Sequence, residues 1–87
     1  MITQKKFLIA EQEFERELFG SFDENIKLIE DTLSIDVILR EGNIVLMGEE
    51  KNVDLAYKLM TELQETVING KSLDRQSVTY SLSLLLE

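Results

Sequence analysis

The chain has 87 residues, 44% hydrophobic and 30% charged, which suits one globular domain and leaves no room for a second core. Nine basic against seventeen acidic residues give a net charge of −8, which opposes the phosphate neutralisation that drives non-specific nucleic-acid binding. Histidine and cysteine are absent, so imidazole-based triads, His-liganded zinc, thiolate metal sites and disulfides are excluded.

Lys5 to Ala10 is predicted as a strand with Phe7 and Ile9 on one face. Glu11 to Leu18 suits a short helix whose apolar side carries Phe14 and Leu18 at i,i+4. Gly20 is expected to stop that helix in the left-handed conformation, and Asp23 to cap the next one, which runs to about Leu33 on Ile26, Ile29 and Leu33. Ile35, Val37 and Leu39 alternate with Asp36 and Arg40 as a strand with one wet face. Glu41-Gly42-Asn43 is a hairpin turn, and Ile44, Leu46 and Gly48 share a face of the return strand.

A long helix opens at Glu49-Glu50 and carries Val53, Ala56, Met60, Leu63 and Val67 as its stripe, widened by Leu55 and Leu59, before Asn69-Gly70 closes it. Ser72 to Glu87 reads as a last helix capped by Ser72 or Asp74, with Leu73, Val78, Leu82 and Leu85 either core or a docking stripe. If that stripe is unsatisfied, self-association through the last helix follows. No apolar run approaches a membrane span, and Phe7-Leu8-Ile9-Ala10 after Lys5-Lys6 is too short for a signal peptide. The order is β-α-α-β-β-α plus a final helix, an α+β arrangement whose three strands carry helices on one face and leave the other wet or free for a partner.

That order and its spacings resemble a KH domain. KH domains join their first two helices by an apolar-apolar-Gly-X-X-Gly turn with an apolar residue six positions after the first glycine. Leu18-Phe19-Gly20 and Ile26 fit it, while Asp23 stands at the second glycine. Gly48, Val53 and Ala56 match the KH spacing that follows the last core strand. The stretch Leu18 to Glu30, the hairpin from Arg40 to Glu49, the Asn69-Gly70-Lys71 helix end and Val78-Thr79-Tyr80 are similar to the N-terminal domain of the PhoH family of bacterial P-loop ATPases.

The resemblance implies residues 1–70 as a KH-like domain, with a three-stranded antiparallel sheet backed by helices. Residues 71–87 become a helix leading toward an ATPase domain outside this chain, a continuation that Leu84-Leu85-Leu86 also suggests. It further implies a cytoplasmic, non-catalytic accessory domain that contributes protein, inter-subunit or weak RNA contacts. The ATPase domain of the same polypeptide and further copies in a homo-oligomer are its expected partners, with no membrane. ATP and magnesium belong to the missing ATPase domain. This chain has no Gly-x-x-x-x-Gly-Lys-Ser/Thr sequence to cradle a phosphate, so no cofactor is expected here. The alternative is a free-standing degenerate KH module that binds protein partners or single-stranded RNA.

The candidate contact surface is the turn Gly20, Ser21, Phe22 and Asp23, with Lys27 and Arg40 nearby. In nucleic-acid-binding KH domains this turn lets the phosphate backbone approach. A carboxylate at Asp23 repels that path, so the plainer reading makes Asp23 a helix cap and Phe22 a packing residue. The competing reading stacks Phe22 on a base. Glu49, Glu50 and Asp54 are more simply partners of a helix dipole than metal ligands.

Overall fold

A computed structural model describes residues 1–87, Ser21 by its backbone alone. The elements are β1 (Ile2–Phe7), α1 (Gln12–Leu33), β2 (Asp36–Arg40), β3 (Asn43–Glu49), α2 (Glu50–Ile68) and α3 (Arg75–Leu85). The sheet is antiparallel in the order β1-β3-β2, so the hairpin's return strand lies in the middle.

Alternation explains which face is covered. Phe7, Val37, Ile44 and Leu46 share one face in register and are buried under the helices. Val45 points the other way, between Lys6 and Ile38, and is covered by its neighbours outside the main core. The hairpin turns on Glu41 and Gly42 at φ 52 and 77, the two positive values that a type I′ turn requires.

The first strand lies earlier than the expected Lys5 to Ala10. It covers Ile2–Phe7, because β3 offers its whole length as a pairing edge and the backbone, not side-chain alternation, decides that match. Ile9 falls beyond the strand and packs half-buried against the core. Phe7 meets Phe14 and Tyr57 edge-on at 6.0 and 5.3 Å, which ties β1 to both long helices.

The stripe of α2 is buried as its spacing predicts: Val53, Ala56, Leu59, Met60, Leu63 and Val67. The stripe of the last helix is core, not a docking surface. Leu73, Val78 and Leu82 are buried in the same cluster as the sheet residues, and Leu85 packs against it. The condition for self-association through that stripe is therefore not met. Asp74, not Ser72, is the N-cap of α3, in a reciprocal capping box with Ser77.

Candidate functional site

The turn expected between two helices lies inside α1, and its geometry differs from the expectation. Helical hydrogen bonding spans Gln12–Leu33 as one element, yet Phe22 and Asp23 stand consecutively at φ 59 and 60. Two left-handed residues cannot continue a right-handed helix, so the chain breaks there. The break delivers Phe14 and Leu18 from one arm, and Ile26, Ile29 and Leu33 from the other, into a single core. It is an elbow, placed at Phe22-Asp23 instead of Gly20. Gly20 is not among the positive-φ glycines and does not end the first arm.

Two side-chain expectations are corrected with it. Asp23 is not an N-cap, because a cap requires extended backbone and Asp23 has φ 60. Phe22 is not a packing residue; it is 98% exposed. The side chain of Ser21 lies outside the described residues. Lys27 is exposed on the second arm of α1, and Arg40 is exposed at the hairpin end of β2. Among the described residues, neither forms an ion pair with the elbow.

What holds the elbow is a clamp onto the connection between α2 and α3. Asn25, a buried polar side chain at 5% exposure, donates Nδ2 to the Leu73 carbonyl at 3.2 Å. The Leu73 N–H in turn donates to Glu17 Oε1 at 2.8 Å. Arg75 adds an exposed ion pair to Glu24 at 3.3 Å. Next to these, the Asp74 carboxylate accepts from the Ser77 N–H at 2.8 Å, and that backbone bond leads the causes holding its pKa below the ordinary carboxylate value. Residues on both sides of the break are thus tied to Leu73, and Glu24 after it to Arg75.

Sequence reasoning missed this clamp. Its signal was Asn25 four residues before Ile29, a polar residue on an otherwise apolar stripe.

Two other places carry acids. A cleft of about 400 Å³ between the end of α1 and the sheet is lined by Glu30, Asp31, Asp36 and Glu49, with Ser34 and apolar residues between them. Glu30 there accepts the Val37 N–H at 2.8 Å, covering one free donor on the outer edge of β2. The expected acidic group at the start of α2 is dispersed. Glu49 pairs with the Met1 ammonium at 2.7 Å and Asp54 with Lys5 at 3.8 Å, and no metal-holding cluster occurs among the described residues. No helix among them is long and apolar enough to cross a membrane.

The fold has a solved counterpart. Over 94% of this chain it superposes on 48% of the Dim2p crystal structure from Pyrococcus horikoshii OT3, with a TM-score of 0.72 at 14% identity. The fold is KH-like. No family model matches the chain. Curated relatives do. The PhoH-like protein of Mycobacterium tuberculosis (strain ATCC 25618 / H37Rv) is 39% identical over 69 residues, which cover 79% of this chain and 20% of that protein. The chain is homologous to one segment of the PhoH-like proteins. The PhoH-like protein of Mycobacterium leprae is 33% identical over 69 residues, with the same coverage of each chain. The one from Bacillus subtilis is 27% identical over 67 residues, covering 77% of this chain and 21% of the relative. This chain therefore matches about a fifth of the length of its curated PhoH-like relatives.

Proposed function

We propose that this chain is the N-terminal accessory domain of a cytoplasmic PhoH-like ATPase, non-catalytic by itself, which contributes protein or inter-subunit contacts. The observation that carries the reading is the match to only 20% of the PhoH-like relatives by a chain without a phosphate-cradling Gly-x-x-x-x-Gly-Lys-Ser/Thr sequence. In this reading residues 71–87 lead toward the ATPase domain, which binds ATP and magnesium. Copies of the whole polypeptide form the oligomer.

RNA contact is secondary. A net charge of −8, with Asp23 and Glu24 at the elbow, leaves little to neutralise a phosphate backbone. Lys27 and Arg40 are the cations available for whatever weak contact remains.

Deleting this segment from the full-length polypeptide tests the reading. Assembly or substrate engagement should change, while ATP hydrolysis per site persists. An 87-residue chain that hydrolyses ATP alone, or a gene with no ATPase region, would overturn it.

A further inference from the structure

Phe22 is unfavourable twice over where it stands. Its left-handed backbone costs a residue with a Cβ about 1–2 kcal/mol, and its ring lies in water, 98% exposed. Strain and apolar exposure at one residue are grounds for a functional hypothesis when the surroundings hold that residue in place. Here they do, through the bonds of Asn25 and Glu17 to Leu73.

The exposed surface continues beyond the ring. Glu24 reaches Arg75 at 3.3 Å, and Arg75 begins a shallow groove of about 590 Å³ along the outer face of α3, lined also by Thr79, Tyr80 and Ser83. Tyr80 is 65% exposed there, and Leu84 follows one turn on at 51%. A protruding aromatic, with a second aromatic and an arginine on the adjoining groove, are residue types enriched where proteins dock.

We infer that Phe22 and the outer face of α3 form the surface on which the remainder of the same PhoH-like polypeptide docks, through an apolar pocket rimmed by basic side chains. This rests on the reading under Proposed function. Two observations select that occupant. The relatives carry about four-fifths of their length outside the matched segment, so in them a large covalently attached body adjoins the corresponding segment. Asp23, next to the anchor and in no ion pair among the described residues, complements a basic rim, whereas nucleic acid, or a second copy of a domain with charge −8, would meet like charge.

The full-length polypeptide with p-benzoylphenylalanine in place of Phe22 tests this by irradiation and peptide mapping. The main covalent product should join residue 22 to a peptide outside residues 1–87 of the same polypeptide. Adding Asp23→Lys should lower its yield roughly fivefold, the scale of one rim charge. A main product on RNA, on residues 1–87 of a second copy, or with solvent alone overturns the surface. An unchanged yield with Asp23→Lys overturns the basic rim. If the gene encodes no ATPase region, the accessory-domain reading fails and this surface falls with it; a product elsewhere when that region is present removes this surface alone.

Discussion

Asn25 and Leu73 are 48 residues apart in sequence, yet the Asn25 amide donates to the Leu73 carbonyl at 3.2 Å in the interior. The bond fixes the elbow of α1 to the approach of α3, because the Leu73 N–H is simultaneously held by Glu17 from the arm before the elbow. One peptide segment therefore positions both arms.

Replacing Asn25 with Leu should cost about 1–3 kcal/mol, since the Leu73 carbonyl would lose its partner in a buried place. The lowered midpoint of urea unfolding reads this directly. Glu17→Ala should cost less, about 1 kcal/mol, because its site is only partly buried. In a double-mutant cycle the two should be non-additive, as both act on Leu73.

Phe22→Gly should do the opposite. Glycine relieves the left-handed strain but is more flexible when unfolded, and the balance should be a gain of about 0.5–1 kcal/mol. Thermal unfolding of the variant checks the sign. A clear loss of stability would mean that the ring packs on the domain, against its 98% exposure.

Most elements were legible because their periodicity is strong. The α2 stripe is an unbroken 3.6-residue pattern, and Glu41-Gly42 is a turn that few residues other than glycine complete. The first strand was shifted because an edge strand pairs by backbone along β3, and its side chains are mostly exposed. The elbow was placed near its true position, but the left-handed residues were misassigned to Gly20, since propensity favours glycine there. No local rule predicts Phe in that conformation. Its exposure depends on where two arms and a distant loop meet, which only the folded chain determines.

Gly48 is a position of close approach. A Cβ there would lie 3.0 Å from Ile35 Cγ2 and 3.4 Å from the Ser34 carbonyl oxygen. Gly48→Ala should therefore destabilise the domain by about 1–3 kcal/mol through overpacking of the junction between α1 and β2. Gly20→Ala, whose added methyl would meet nothing within 4 Å, is the control and should be no less stable than the parent. Chemical denaturation of the pair separates the two cases.

The capping box of α3 should appear in acid. The Asp74 pKa is lowered from 3.8 by the Ser77 N–H and hydroxyl, so the folded form binds its proton less readily than the unfolded one. Its stabilisation is present above pH 3.8 and fades as pH falls through the depressed folded value. Asp74→Asn should flatten the acid limb of the stability curve, with no change in slope near neutrality. Thermal melts across the acid range measure it.

The central claim is that the elbow faces protein and not polyanion. Titration of fluorescently labelled single-stranded RNA with the 87-residue chain at low salt tests it most directly, run for the parent and for Phe22→Ala. The account predicts no saturable binding in the micromolar range for either protein. Micromolar or tighter binding by the parent, lost on Phe22→Ala, would contradict it.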